Sequence, residues 1–340
     1  MTLKLTVVDQ SPVPGKPQDI SPVALSAQLA KACDAAGYHR YWLAEHHNSL
    51  NFAGPSPEVL ISHIASVTER IRVGSGGVML PHYSPYKVAE QFRLLETLFP
   101  GRIDLGVGRA PGGDGLASHA LAYPHAQAHE DHYPQQAMLL KGFLAGGIPA
   151  HHPYHDLRVM PDDSPCPELW MLGSSGGSAA LAGQVGMNMA LALFIGPEDR
   201  PVSIVDEYRA AWREAGHTGE PKVLIAVSAV CAGSREEAEY LASPQVYWKV
   251  KAFRHGVRDA ISSPEEALNR RAKLSPSDQA YFDQTLASVV CGAPQECRER
   301  LAAIADRYGS DEVGIVTVTH DFADRLRSYQ LLVGAAPRSE

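Results

Sequence analysis

The chain has few cysteines and no pattern that would pair them. Its five cysteines are scattered, odd in number and never spaced C-x-x-C, which argues against a disulfide framework or a zinc ribbon and fits a reducing compartment. No apolar run approaches the roughly 18 residues of a membrane span. The opening MTLKLTVVDQ lacks the basic and apolar regions of a secretory signal. We therefore expect a cytoplasmic protein.

Basic runs and nucleotide fingerprints are also missing. The net charge is -8 and no segment is rich in Lys and Arg, so neither nucleic acid nor a membrane surface is an expected partner. The segment LGVGRAPGG resembles a dinucleotide fingerprint, but Pro111 stands where the third glycine of G-x-G-x-x-G belongs. A nicotinamide site of the Rossmann type is not expected.

Short apolar runs are present along most of the chain and alternate with amphipathic stretches. The runs are too continuously apolar for a half-exposed sheet, so we predict parallel strands buried on both faces. The predicted strands are 3–9, 39–45, 70–78, 102–107, 168–173, 188–194, 222–230 and 311–318. The predicted helices are 21–36, 57–68, 85–98, 125–145, 176–185, 201–215, 234–242, 294–308 and 321–334.

Eight strands, each followed by a helix, predict an α/β fold of the (β/α)8 TIM-barrel type, with a doubly wound open sheet as the main competitor. Residues 110–165 and 243–292 are too long for ordinary connections. We interpret them as insertions over the mouth of one barrel domain that spans 1–340.

Glycines and polar residues fall where four successive strands end. These ends carry Glu45-His46-His47, the Gly74–Gly77 run, Gly108-Arg109 and the run from Gly173 to Ser178. In a barrel the carboxyl ends of the strands share one rim, which is where active sites form. The convergence predicts a functional site there.

The run from Gly173 to Ser178 and the neighbouring Arg109 suit a phosphate. Small residues leave backbone N–H groups free at a helix start, where the dipole favours an anion, and arginine binds phosphate through two hydrogen bonds. Ser174, Ser175, Gly177 and Ser178 are the candidate contacts. A plain helix cap and a surface salt bridge of Arg109 are the structural alternatives.

Gly76 and Gly77 interrupt an apolar strand. Two glycines there indicate a bulge, a cis or strained peptide, or a flat ligand resting on the backbone, and a close helix contact is the alternative. Of His46 and His47, only one side chain can enter the mouth, where it would donate a hydrogen bond or transfer a proton. A structural hydrogen-bonded histidine is equally compatible with the sequence.

Six histidines crowd residues 125–155. Without an H-E-x-x-H motif or a comparable ligand set, we expect no metal site. His129 and Tyr133 are four residues apart, on one face of the predicted helix. They are candidates to reach a cofactor phosphate from the roof.

Several segments resemble bacterial luciferase and its relatives. They are IRVGSGGVMLPHYSPYKVAEQFRLLETLFPGRIDLGVGR within residues 70–109, AEHH at 44–47, PSPEV at 55–59 and GSDEVGIVTVTHD at 309–321. The resemblance covers most of the chain and is weakest over 243–292. It implies a (β/α)8 barrel that uses reduced FMN and molecular oxygen.

The resemblance also assigns roles to residues. Gly76-Gly77 would be a non-proline cis peptide behind the flavin ring, and Arg109 with Ser174, Ser175 and Ser178 would hold the phosphate. His46 would be the active-site histidine, His47 its neighbour near a subunit interface, and Glu90 would lie on a helix at the interface of a homodimer. Gly108 stands where luciferase has a reactive cysteine, and the phosphate turn lacks luciferase's glutamate, so light emission and a long-chain aldehyde substrate are not implied.

The implied activity is an FMN-dependent monooxygenase of a small organic substrate, acting through a C4a-peroxyflavin. Met79, Leu80 and Tyr83 would help to wall the site, and a separate flavin reductase would supply reduced FMN. Two alternatives remain: a deazaflavin (F420)-dependent oxidoreductase on the same barrel, and a flavin-binding protein without turnover. The longer acidic tail of F420 would need more basic residues than Arg109 alone near 109–113.

Overall fold

The strands lie where the apolar runs predict them. A computed structural model describes residues 3–16, 19–125 and 131–334. Its strands are β1 Lys4–Asp9, β2 Arg40–Leu43, β3 Arg72–Ser75, β4 Val78–Met79, β5 Ile103–Gly108, β6 Glu168–Gly173, β7 Asn188–Ala192, β8 Val223–Cys231, β9 Val290–Gly292 and β10 Glu312–Val316.

Within the described residues the sheet closes into a barrel of eight parallel strands. The order around the ring is β1-β2-β3-β5-β6-β7-β8-β10, and β10 pairs with both β8 and β1. β4 follows β3 in the same direction and pairs with β5, while β9 pairs in parallel with the carboxyl-terminal end of β8. The predicted (β/α)8 barrel is confirmed, and the open doubly wound sheet is excluded.

Helices separate the strands and cover the outside of the barrel. They are α1 Pro22–Ala36, α2 Pro57–Ser66, α3 Pro85–Leu98, α4 Gly115–Ala122, α5 Tyr133–Ala145, α6 Gly176–Val185, α7 Ser203–Glu214, α8 Arg235–Lys249, α9 Pro264–Arg271, α10 Pro276–Ser288, α11 Pro294–Tyr308 and α12 Phe322–Leu332. Several begin with proline, whose missing N–H costs nothing in the first turn. α1 ends at Gly37, whose φ of 85° is a left-handed conformation that glycine adopts readily.

The two long insertions contain more helix than the sequence predicts. Residues 110–165 hold α4 and α5, and α5 begins at Tyr133 rather than at the predicted 125. α8 does not end at 242. It continues through Pro244 to Lys249, followed by a π-helical turn to Arg254. This extension carries residues of the insertion to the mouth of the barrel.

The amino-terminal end of the barrel is filled by large buried side chains. Trp42 and Trp170 pack edge to face with ring centroids 5.2 Å apart. Beneath them Arg40 donates hydrogen bonds to Asp104, Glu168 and Glu312 at 2.8, 2.9 and 2.8 Å. The carboxyl ends of the strands are the open end.

Three sequence-based expectations concern features outside the barrel. All five cysteines are unpaired, and only Cys166 is exposed. In the part of the chain that the structure describes, no three His, Cys, Asp or Glu side chains cluster in a way that could hold a metal ion. Over the same residues, no helix combines the length and apolar character needed to cross a bilayer.

Candidate active site

A cavity of about 660 Å³ lies at the carboxyl ends of the strands. We call it the mouth cavity. Its lining includes residues from all four predicted strand ends: His46, Gly76, Gly77, Arg109 and the serines 174, 175 and 178. The structure therefore brings together most of the residues that the sequence singles out.

Gly76 and Gly77 are joined by a cis peptide bond, as the resemblance implies. They pass between Trp42 and β5 with no room for larger side chains. A Cβ on Gly76 would lie 3.0 Å from the Trp42 Cβ, and one on Gly77 would lie 2.8 Å from the Gly106 carbonyl oxygen. Only glycine fits here, and this backbone, which has no side chains, forms part of the wall of the mouth cavity.

His46 lines the mouth cavity between polar and aromatic neighbours. Its Nε2 lies 2.8 Å from Oε1 of Gln10, and its ring centroid is 4.7 Å from that of Phe52. Burial, and secondarily the charge of Arg258, lower its pKa to about 4. His46 is therefore neutral at physiological pH, and the tautomer with its proton on Nε2 is the one that can donate to the Gln10 amide oxygen.

His47 points away from the mouth cavity, so only one of the two histidines enters, as the strand geometry predicts. Its Nε2 lies 2.6 Å from Oε1 of the buried Glu45. The Tyr83 hydroxyl donates to the same oxygen at 2.8 Å, and the Met79 N–H donates to the other at 3.0 Å. The network ties the end of β2 to the end of β4 and holds His46 in place.

The ends of β5 and β6 combine a cation with hydroxyl groups. Arg109 is exposed and lies 3.3 Å from Asp131. Across from it, the Ser178 hydroxyl donates to the Ser175 carbonyl at 2.8 Å, a capping contact at the start of α6. The two structural alternatives to a phosphate site, a helix cap and a surface ion pair of Arg109, are thus both present in part. The exposed Arg109 and the Ser174 hydroxyl, which has no partner among the described residues, still face an open space beside a helix N-terminus.

Of the predicted cofactor contacts that the structure describes, Tyr133 and Gly177 are not brought to the mouth cavity. Tyr133 is buried, and its hydroxyl lies 3.5 Å from the Val107 carbonyl oxygen, behind β5. It faces the core because α5 packs its first turn against the barrel. Gly177 lies in the first turn of α6, next to the cavity but not on its lining. His129 lies outside the described residues.

The sequence did not single out the part of the lining that α8 provides. Gln245, Trp248 and Lys249 line the mouth cavity, together with Gln10 after β1 and Phe52 in the loop after β2. Burial lowers the pKa of Lys249 to about 8. Gln10 could have been found as a polar residue at a strand end. Nothing in the sequence pattern marks Phe52 or the three residues of α8. The helix that carries those three was predicted to end at 242, before the first of them.

Known proteins resemble the chain over almost its full length. Residues 3–311 match the model of the luciferase-like monooxygenase family. The uncharacterized protein YwcH of Bacillus subtilis is 41% identical over 330 residues, which cover 97% of this chain and 98% of the relative. The N-acetyl-S-alkylcysteine monooxygenase of the same organism is 34% identical over 334 residues and 98% of each chain.

A solved structure agrees with these relatives. The crystal structure of apo-MsnO8 superposes with a TM-score of 0.84 at 34% identity and covers 98% of both chains. The barrel, the cis glycine pair and the matched residues lead to one conclusion. The chain belongs to the luciferase-like monooxygenase family.

Proposed function

We propose that the mouth cavity binds FMN. The observation that carries this proposal is one continuous space that joins the flat Gly76–Gly77 backbone to Arg109 and the start of α6. A planar ring fits against backbone that has no side chain, and a phosphate fits the cation, the hydroxyls and the helix N-terminus. Arg109, Ser174, Ser175 and Ser178 would hold the phosphate.

We further propose that the protein is an FMN-dependent monooxygenase of a small organic substrate. Reduced FMN, when bound, supplies the two electrons that reduce one oxygen atom of O2 to water while the other enters the substrate. The apolar wall formed by Met79, Leu172 and Phe194 excludes water from the reacting atoms. Neutral His46 has its one ring proton in the bond to Gln10, so it would act on them as a hydrogen-bond acceptor.

Two partners belong to the same proposal. A separate reductase supplies the reduced flavin, since the sequence has no nicotinamide fingerprint. The protein acts as a homodimer through α2 and α3, whose outer faces carry the exposed apolar side chains Val59, Leu94 and Leu98. Apolar groups gathered on neighbouring helices of one face are typical of an interface.

Cofactor titration tests the FMN site. We expect FMN fluorescence to be quenched on binding. Arg109→Met should weaken FMN binding by about tenfold or more, because a charge-assisted phosphate contact is lost. Arg158→Met removes an arginine that is also exposed and also paired with an aspartate, but lies away from the cavity, and serves as the control. If the wild type binds F420 more tightly than FMN, the FMN proposal is wrong and the deazaflavin is the cofactor.

Turnover is tested separately on protein that binds FMN. A flavin reductase supplies reduced FMN, and oxygen uptake and hydrogen peroxide are measured with a panel of small organic substrates that includes N-acetyl-S-alkylcysteines. An oxygenated product formed with little peroxide supports the monooxygenase. If the wild type forms no oxygenated product and takes up oxygen no faster than free reduced FMN, and His46→Ala changes neither result, the protein is a flavin-binding protein without turnover.

A further inference from the structure

One face of α8 brings side chains with buried hydrogen-bond donors to the wall of the mouth cavity. Gln245, Trp248 and Lys249 are spaced by three and four residues, so they lie on the same side of the helix. All three line the cavity. None of them has a role in holding the flavin in the proposal above.

Lys249 is a buried cation without a counter-ion. Its side chain is 5% exposed, and its Nζ donates to the Phe194 carbonyl at 2.5 Å and to the Ser228 hydroxyl at 3.3 Å. Among the described residues no carboxylate lies within ion-pair distance of Nζ. Burial lowers its pKa to about 8. Buried charges are normally paired, and an ammonium has three protons to donate, so this group is one acceptor short.

Gln245 adds a second donor that lacks a partner. The residue is 2% exposed, and its Oε1 accepts a hydrogen bond from the Val318 N–H at 3.2 Å. Its Nε2 has no partner, and neither has Nε1 of Trp248. Buried polar groups are bonded in the great majority of cases. The unsatisfied atoms of this face are all donors, which is the arrangement an anion would satisfy.

The position of this face separates it from the flavin wall. Lys249 packs against Phe194 after β7 and against Ser228 of β8. β8 lies four strands from β3 on the eight-strand ring, so Lys249 is across the mouth from Gly76 and Gly77. A ligand can therefore occupy the α8 side while a ring rests on the glycines.

Charge in the mouth cavity favours the same kind of ligand. Among the described residues that line the cavity, three are cations, Arg109, Arg258 and Lys249, and one is a carboxylate, Glu45. Of these cations, Arg109 also pairs with Asp131. Both oxygens of Glu45 already accept hydrogen bonds, from His47 and Tyr83 and from the Met79 N–H. The whole chain carries a net charge of -8, so the positive lining is a local feature of the site.

We propose that Lys249 and Gln245 bind the carboxylate of an apolar carboxylic acid substrate. This inference rests on the proposed function and names its substrate class. Phe52, Trp248 and Phe253 would contact the apolar body, and the reacting end would extend toward His46 and the glycine wall. The carboxylate would accept hydrogen bonds from the donors of α8, and the apolar part of the substrate would pack against the cavity walls.

A matched pair of probes tests the carboxylate site. Hexanoate and hexanamide have the same apolar chain and differ in charge, and their binding to the full chain is measured by calorimetry with and without saturating FMN. We expect hexanoate to bind at least about tenfold more tightly than hexanamide, because hydrogen bonds to a charged group are the stronger kind. Lys249→Met should abolish that preference. Lys222→Met, which removes a lysine at the opposite end of β8, should keep it.

The outcomes separate this inference from the flavin proposal. Equal binding of the two probes, no binding of hexanoate, or a preference that survives Lys249→Met overturns the carboxylate site. Displacement of FMN by hexanoate also overturns it, because the anion would then occupy the phosphate position. If Lys249→Met does not fold, Gln245→Leu decides, and the preference must fall at least about threefold. Loss of FMN binding alone, with the probe preference intact, refutes the flavin proposal only.

Discussion

His46 is a histidine whose surroundings fix its protonation state. Phe52 covers one side of the ring, and the Gln10 amide oxygen accepts a hydrogen bond from Nε2. Burial, and secondarily the positive charge of Arg258, favour the neutral ring over the imidazolium. The residue therefore acts as a fixed hydrogen-bonding group in the pH range where most histidines titrate.

A pH titration tests this state. The NMR resonance of the His46 ring should titrate with a pKa of about 4, well below the usual 6.5. The folded chain holds His46 neutral, so protons are taken up on unfolding, and its contribution to stability is full above about pH 6.5 and is lost as the pH falls toward 4. His46→Gln should lack this dependence. A ring that titrates near 6.5 would contradict the assignment.

At the scale of elements, the approach of β3 to β5 depends on missing side chains. Gly77 lies against the Gly106 carbonyl, which belongs to the backbone of β5 and cannot move aside. The same close approach makes the wall of the mouth cavity flat. The absence of side chains at these glycines therefore determines both the packing of the strands and the shape of the site.

Alanine substitutions at Gly77 and at a second, uncrowded glycine distinguish the effect of this close contact from the general effect of replacing a glycine. Gly77→Ala should lower the free energy of unfolding by about 1–3 kcal/mol, the usual cost of overpacking, and should also weaken FMN binding. The control is Gly115→Ala, where a Cβ meets nothing within 4 Å. Urea unfolding and flavin titration measure the two effects. A Gly77→Ala protein as stable as the control would contradict the steric argument.

The elements themselves show what the sequence could predict. All eight barrel strands were predicted because a parallel strand buried on both faces is an uninterrupted apolar run. The end of α8 was missed because Ser243 and Pro244 resemble a helix stop, yet the helix passes through them. Lys249 follows those residues, so its place in the site could not be predicted from strand ends.

At the scale of the molecule, the barrel has a structural end and a functional end. Arg40, Asp104, Glu168 and Glu312 all stand at the amino-terminal starts of their strands and form one buried ion cluster. The charge of Arg40 helps to hold the pKa of Glu168 below its usual value, against the effect of burial. Histidine, glycine and serine residues that serve the site stand at the other ends of the strands.

Loss of Arg40, the most buried cation of the cluster, should destabilise the barrel without reshaping the site. Arg40→Met leaves Glu312 without its cation, while Asp104 and Glu168 keep Arg72 and Lys222. We expect a loss of about 3–5 kcal/mol in the free energy of unfolding, as for other broken buried pairs. Lys4→Met, which breaks an exposed pair with Asp311, should have little effect. Urea denaturation measures both. Equal stability of the two variants would show that the cluster contributes no net stability.

The site was predictable where it follows strand ends and not elsewhere. His46, Arg109 and the glycine pair were found because a barrel collects the ends of its strands at one rim. Tyr133 was misplaced because the spacing of residues on a helix does not reveal which face packs on the core. Phe52 and Gln245 reach the cavity through loop and helix geometry that only the folded chain determines.

The filled lower end of the barrel has a consequence for the order of events. Trp42, Trp170 and Arg40 are buried at that end, and the mouth cavity lies at the other end, so in the proposal cofactor, substrate and product would share one entrance. Under the proposed function, a flavin lying against the glycines would have to bind before a substrate that sits between it and the solvent. The product would then have to leave before the oxidised flavin is exchanged. A barrel closed at one end would in this way set the order of binding and release.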